Sequence, residues 1–197
     1  MVIQIHIYNA NETLLDDLLS SIYLSNFDIE SFSRYKNIEV KKEKVVSTIF
    51  KNKYIGEYYE NEFGKPVSDK QYFNLSHSKG NVVFVMDDVP IGIDIEKIDK
   101  VEKDLIDYIA NEEEKNYIRN EKQFYEIWTN KEALVKAHGT GIKLHPKKIA
   151  GLPINGKRTY EGKTYHNKTI FYDGCFITVS RQSDEDFELE IIKETIA

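Results

Sequence analysis

Residues 91–96 read IGIDIE, an unbroken alternation with an isoleucine at every second position. Side chains on a β-strand point alternately to opposite faces. Ile91, Ile93 and Ile95 therefore form one apolar face, and Gly92, Asp94 and Glu96 form the other. Two carboxylates held side by side repel each other unless a cation lies between them. A hard divalent ion such as Mg²⁺ takes oxygen ligands of this kind together with water and phosphate oxygens. Gly92 has no side chain to obstruct a ligand above the acidic face. An amphipathic edge strand with solvated acids would carry the same letters, so the hexapeptide alone leaves both readings open.

The opening residues, MVIQIHIYNA, alternate similarly, with Ile3, Ile5 and Ile7 against Val2, Gln4 and His6, and predict a strand. ETLLDDLLSSIYLSNF predicts an amphipathic helix and KEKVVSTIFKNKYIGEYYEN a second one. FGKPVSD reads as a turn, followed by strands over YFNLSHS and NVVFVMDD, and Asp87 to Pro90 turns the chain into IGIDIE. The second half repeats the same kinds of element. A helical region covers about residues 101–120, and the helix of FYEIWTNKEALVKAHG ends at Gly139 and Gly141. Strand-like TIFYDGCFITVSRQ and DFELEIIKE follow. Helices and antiparallel strands in both halves predict an α+β protein of two similar lobes, residues 1–90 and 91–197, with a ligand cleft between them.

The chain has 197 residues, 41% hydrophobic and 30% charged, an ordinary globular composition. A net charge of −6 argues against a nucleic-acid binder with a broad basic surface. The absence of a long apolar run and of a basic, apolar start predicts neither a membrane span nor a secretion signal. The single cysteine, Cys175, cannot form an internal disulfide and fits a buried structural thiol in a reducing cytoplasm. Positive charge nevertheless crowds one stretch, with Arg34, Lys36, Lys41, Lys42, Lys44, Lys51 and Lys53. A solvated helix face and a cationic wall for a phosphate-rich ligand both explain that run.

Two further segments carry chemistry. In WTNKEALVKA, residues 128–137, the four-residue spacing aligns Trp128, Glu132 and Lys136 on one helix face, adding a third acid and a cation. An exposed Glu–Lys pair is the plain alternative. In FNLSHS, residues 73–78, Ser76, His77 and Ser78 offer polar hydrogens suited to phosphate oxygens, or simply a capping turn. Ser76 and His77 are neighbours on a strand and point apart, which disfavours a serine hydrolase.

FGKP, FNLSHS, IGIDIE and WTNKEALVKA, in this order, resemble the signature of the surfactin-type 4′-phosphopantetheinyl transferases: a GKP turn, F-N-x-S-H-S, G-[IV]-D-[IV]-E and W-x-x-K-E-x-x-x-K. The resemblance is strongest from Phe63 to Ile142. It implies an internally duplicated α+β fold, of the two-lobed monomeric type, with the active site in the cleft between the lobes. It further implies transfer of the 4′-phosphopantetheine arm of coenzyme A to a serine of an apo acyl or peptidyl carrier protein, releasing 3′,5′-ADP. By that likeness Asp94, Glu96 and Glu132 would bind Mg²⁺, or Mn²⁺, and Glu132 would also be the base for the serine. Lys136 would act on the leaving group, Lys131 would face the diphosphate, and Ser76, His77 and Lys65 would hold the coenzyme. Many relatives carry an arginine near the start of the helix after the basic stretch, where Lys44 is the nearest candidate here. A lysine supplies charge without the bidentate fork. The same three acids would also serve another magnesium-dependent phosphohydrolase or nucleotidyltransferase, and a catalytically silent carrier-binding module is the remaining alternative.

Overall fold

The computed structural model describes residues 1–139, 141 and 145–196, so Ile142, the end of the strongest motif stretch, lies outside the described residues. The chain begins with β1 (Val2–Asn9), α1 (Leu15–Leu19), α2 (Asn26–Ser31) and α3 (Ile38–Tyr54). Two short strands, β2 (Tyr59–Glu60) and β3 (Pro66–Val67), lead to the hairpin of β4 (Tyr72–Ser78) and β5 (Asn81–Asp87). After β6 (Ile91–Lys97) come α4 (Lys103–Ile109), α5 (Glu112–Tyr117) and α6 (Glu121–His138). Four strands close the chain: β7 (Gly156–Tyr160), β8 (Lys163–Tyr172), β9 (Cys175–Arg181) and β10 (Glu188–Lys193).

These strands build two four-stranded sheets, in the orders β10-β1-β5-β4 and β6-β9-β8-β7, beside the small β2–β3 ladder. The fold is thus mixed α and β. The strand β10 crosses back from the end of the chain to pair in parallel with β1. The alternation in the sequence explains how the sheets are covered. Ile3, Ile5, Ile7, Val83 and Val85 of the first sheet meet Ile91, Ile93, Ile95, Ile177 and Val179 of the second in one apolar core. The opposite side of β5, with Val82 and Phe84, packs under Val45, Val46, Ile49 and Phe50 of α3. Cys175 is a free, buried thiol in the central core.

Several elements differ from expectation. The helix expected over residues 12–27 is broken into α1 and α2. Ser25 and Asp28 form a capping box that restarts the helix, satisfying two end donors at once. The next helix starts earlier than expected, at Ile38 under the Asn37 cap, and ends near Ile55, before Gly56, whose φ is +76°. Residues 101–120 hold two short helices, separated by the Asn111 capping box. His6, set opposite the isoleucines of its strand, is buried with Nδ1 2.7 Å from Glu194 Oε1. Gly139 does terminate α6, at φ +86°. No helix among the described residues is long and apolar enough to cross a membrane.

Gly92 takes a different role from the one expected. A Cβ there would lie 2.2 Å from the Ala133 carbonyl oxygen and 2.3 Å from the Ala137 nitrogen. The missing side chain admits the backbone of α6 against β6, not a ligand. Both obstacles are main chain and cannot rotate away. Gly92→Ala is therefore expected to lower stability by at least about 1–3 kcal/mol, the usual cost of overpacking. Chemical denaturation checks this, with a midpoint well below that of the native chain.

Candidate active site

The strand β6 lies at the edge of the second sheet and β4 at the edge of the first, and polar side chains of β4 join them. Asn74 Oδ1 accepts from the Ile93 backbone nitrogen at 2.9 Å, and Ser78 Oγ accepts from that of Lys97 at 3.2 Å. Ser76 Oγ donates to Asp94 Oδ1 at 2.8 Å, and Ser78 Oγ donates to Glu96 Oε2 at 2.9 Å. The acids of IGIDIE are therefore held by β4 rather than free on an open face, with Asp94 only 3% exposed and Glu96 half-buried.

From the other side α6 brings Trp128, Glu132 and Lys136 over the same strand. Together with Leu75, Ser76, His77, Asp94 and Glu96 they line one cavity of about 290 Å³. The Lys136 ammonium sits 2.6 Å from Asp94 Oδ1 and donates to Ser76 Oγ at 2.9 Å. Trp128 Nε1 donates to Glu96 Oε1 at 3.3 Å. Glu132 has neither a hydrogen bond nor an ion pair among the described residues. Burial, then the negative charge of Asp94, pushes its carboxyl up to about 7 against the pull of Lys136. Burial and Asp94 also raise Glu96.

One lysine thus faces three carboxylates, and Asp94 Oδ2 is buried without a hydrogen-bond partner. A divalent cation would satisfy that orphaned oxygen and relieve the repulsion, so the residues present fit one. They do not form a closed cage. Among the described residues no three His, Cys, Asp or Glu side chains are set to hold an ion by themselves. An ion shared by these acids would take its remaining ligands from water and phosphate oxygens, as magnesium usually does.

A second recess of about 310 Å³ adjoins the first at Leu75 and His77. Arg34, Lys44 and Lys51 line it with Ser47, Thr48 and Glu60. Burial lowers the Lys51 ammonium. Between the recess and α6, Lys65 of the GKP turn donates to the Lys136 carbonyl at 2.6 Å, and burial beside Lys136 lowers it to about 8.

Ser76, His77, Asp94, Glu96, Glu132 and Lys136 are thus brought to one cavity, with Lys44 and Lys65 at its borders. Ser76, assigned to coenzyme phosphates, lines the cavity and here bonds Asp94 and Lys136. One expectation needs correction. Lys131, assigned to the diphosphate, lies on another side of α6 and is 1% exposed. Its ammonium is 2.6 Å from Glu114 and donates to the carbonyls of Ile109 and Pro146. A buried lysine requires such partners, and here they tie α6 to α4, α5 and the segment after it. Sequence reasoning passed over Arg34 and Lys51 as individual ligands, Ser78 as a strand linker and Glu43 as the partner of His77. The N-x-S-x-S alternation in β4 was the available signal for Ser78.

Comparison with known proteins points to one family. The family model described as the 4′-phosphopantetheinyl transferase superfamily matches residues 90–192, just over half of the chain. The 4′-phosphopantetheinyl transferase gsp of Aneurinibacillus migulanus is 30% identical over 130 residues, covering 57% of this chain and 55% of its own length. The 4′-phosphopantetheinyl transferase psf-1 of Bacillus pumilus is 38% identical over 88 residues, covering 40% and 38%. The chain therefore spans about half or less of the length of these curated relatives. A solved holo-[acyl-carrier-protein] synthase of Thermotoga maritima aligns at 21% identity and a TM-score of 0.34, covering 47% of this chain and 61% of its own. A likeness that loose carries no argument.

Two outcomes follow from the electrostatics. Between about pH 4.5 and 7 Glu132 is ionised in the unfolded chain but protonated in the fold, so stability falls as pH rises through that window. Above about pH 7 the full cost is present, at most about 3 kcal/mol for a rise from 4.5 to about 7. Glu132→Gln removes it, so melting curves of the metal-free protein should show stabilisation near pH 8 and almost none near pH 4.5. Lys131→Met leaves Glu114 buried without its counter-charge and is expected to cost about 3–5 kcal/mol in urea unfolding.

Proposed function

The chain belongs to the 4′-phosphopantetheinyl transferase superfamily, and from that membership we propose that it transfers 4′-phosphopantetheine from coenzyme A to a serine of an apo acyl or peptidyl carrier protein, releasing 3′,5′-ADP. The observation that carries this reading is the adjacency of two cavities of opposite character. One holds Asp94, Glu96, Glu132 and Lys136, and the other holds Arg34, Lys44 and Lys51 beside His77. A molecule with a diphosphate at one point and a further phosphate nearby suits that pair.

Asp94, Glu96 and Glu132 would hold Mg²⁺, or Mn²⁺, which when bound neutralises charge on the diphosphate. The chain's own residues do the rest. In the transfer the carrier serine oxygen bonds to the β-phosphorus, and the bond from that phosphorus to the 3′,5′-ADP oxygen breaks. Glu132, the acid of the three without a hydrogen bond or ion pair among the described residues, takes the serine proton. Lys136 moves from Asp94 to offset the charge growing on the departing phosphate. His77, Lys44 and Arg34 hold the nucleotide end, and Lys65 stands between the two regions. Such chemistry depends chiefly on positioning and charge, which is what the site supplies.

The two-lobed, internally duplicated architecture belongs to the same proposal. It is supported by a long helix covering each sheet, α3 on the first and α6 on the second. The lobes would divide near residues 90 and 91, with β10 returning to the first. A monomer in the cytoplasm acting on a separate carrier completes the reading.

Mass spectrometry of apo-carriers incubated with coenzyme A and Mg²⁺, with and without chelator, tests it. A gain of one phosphopantetheine arm, abolished by chelator, is expected. Asp94→Ala, Glu132→Ala and Lys136→Ala should each slow transfer by about 10²–10⁴-fold while leaving the far-ultraviolet spectrum unchanged. Near-native turnover in the Asp94 or Glu132 variant would refute the assignment. Carrier binding without a mass gain would point to a silent module. Phosphate or nucleotide release from other substrates would point to a different magnesium enzyme.

A further inference from the structure

Glu43 has no part in the proposed transfer, yet it is a buried carboxylate beside the cationic recess, 6% exposed on α3. Its Oε1 accepts from the Gly80 backbone nitrogen at 2.7 Å, and its Oε2 lies 2.9 Å from His77 Nδ1. Burial would raise its pKa, but the hydrogen bonds from His77 and Gly80 outweigh burial and hold the group below the ordinary glutamate value. An ionised carboxylate only accepts hydrogen bonds, so His77 Nδ1 carries the proton. The other ring nitrogen, Nε2, then accepts from the Lys44 ammonium 3.3 Å away. The turn that supplies Gly80 is itself fixed. Asn11 donates to the Lys79 carbonyl, and Ala10 donates to the Gly80 carbonyl. A Cβ on Gly80, whose φ is +88°, would strike the Asn11 amide at 2.2 Å. Glu43 is thus held by main chain on one side and holds the imidazole on the other.

We propose that Glu43 is a positioning residue that makes His77 a proton-linked clasp for a phosphate monoester, a step that rests on the proposed coenzyme A reading. In the ligand-free protein the ring has one proton and Lys44 satisfies Nε2. A phosphate monoester is predominantly dianionic near pH 7.5, its second acidity constant being about 6. When it enters, Lys44 turns to the phosphate and Nε2 takes one proton from solvent, so that both nitrogens donate. The imidazolium then lies between the Glu43 carboxylate and the phosphate, with charge on both sides to support it. The charged groups around His77 agree with this sequence. Glu43 and Lys44 face it from α3, and Arg34, Lys51 and Glu60 line the recess it borders. On its other side the cavity brings Asp94, Glu96 and Glu132 against a single cation, Lys136. The basic groups of the recess favour the dianion.

Glu43→Gln separates orientation from packing. The amide has the same shape, and its oxygen must serve the fixed Gly80 donor. Its NH₂ then faces Nδ1 and forces the ring proton to Nε2. Calorimetry at about pH 7.5 in two buffers of different ionisation enthalpy, with Mg²⁺ present, counts protons taken up on binding. The native protein should take up close to one proton with coenzyme A and none with 3′-dephospho-coenzyme A. In Glu43→Gln that uptake should vanish and the affinity for coenzyme A should fall about tenfold, because the ring still donates from Nε2 but as a neutral imidazole, without the charge that strengthens the bond. The affinity for the dephospho form should not change. Nitrogen-15 spectra of ligand-free His77 should show the proton moved from Nδ1 to Nε2, with the melting temperature retained. Native coenzyme A binding without proton uptake, or equal uptake and affinity in Glu43→Gln, would overturn the clasp alone. Absence of any coenzyme A binding by the native protein would remove the proposed function and the clasp with it.

Discussion

The bonding between β4 and β6 is the constraint on which the site depends. Each is an edge strand, and an edge leaves a row of backbone groups without partners. Asn74, Ser76 and Ser78 close that gap with side chains instead of a backbone ladder. The strand's two-residue period then does a second job. Its even positions address β6 and the acids, while Phe73, Leu75 and His77 point toward α3. One strand therefore serves two cavities, one carrying carboxylates and one carrying cations. Their spacing follows from the pleat rather than from any loop, which gives the site a rigid frame.

The helix α6 supplies the other wall, and its position is over-determined. Gly92 lets its backbone approach β6, while Thr129 bonds Thr178 of β9 and Asn130 bonds Thr169 of β8. Lys131 ties it to α5 through Glu114. So many buried polar contacts around one helix make sense when three of its side chains must meet a strand at fixed distances. The electrostatic result is an uncompensated site. Burial and mutual repulsion raise Glu96 and Glu132, and Lys136 answers only one oxygen of Asp94. Perturbed carboxyls gathered in a cleft are a mark of functional sites because the fold bears their cost without a structural return.

Much of this was legible in the sequence where a short period met a single environment. The isoleucines of β6 share the central core, and its acids share the cavity, as strict alternation requires. The four-residue spacing of Trp128, Glu132 and Lys136 likewise survives in the fold. Periodicity failed where an element is buried on several sides. Thr129, Asn130 and Lys131 are three successive polar residues, all 0–1% exposed, and nothing in their spacing separates a buried partner from a ligand group. Gly92 misled for a related reason: an absent side chain reports close approach but not what approaches. The break between α1 and α2 depends on a local capping box at Ser25 that the apolar pattern runs across. The return of β10 to β1 depends on contacts some 186 residues apart, which no local pattern encodes.

The departure at Lys44 gains meaning from its neighbours. A lysine is a point charge on a flexible stem and lacks the planar fork by which arginine grips phosphate. Alone in its position it would hold an anion loosely. In this chain it faces an imidazole whose orientation is set by Glu43, and Arg34 and Lys51 line the same recess. Under the proposed reading, directionality that one guanidinium would provide is divided between an oriented ring and an ammonium on a flexible stem. A buried acid beside an anion site would ordinarily weaken it by repulsion. Here Glu43 spends its charge on Gly80 and His77, so the recess receives an aligned imidazole in place of a bare negative group.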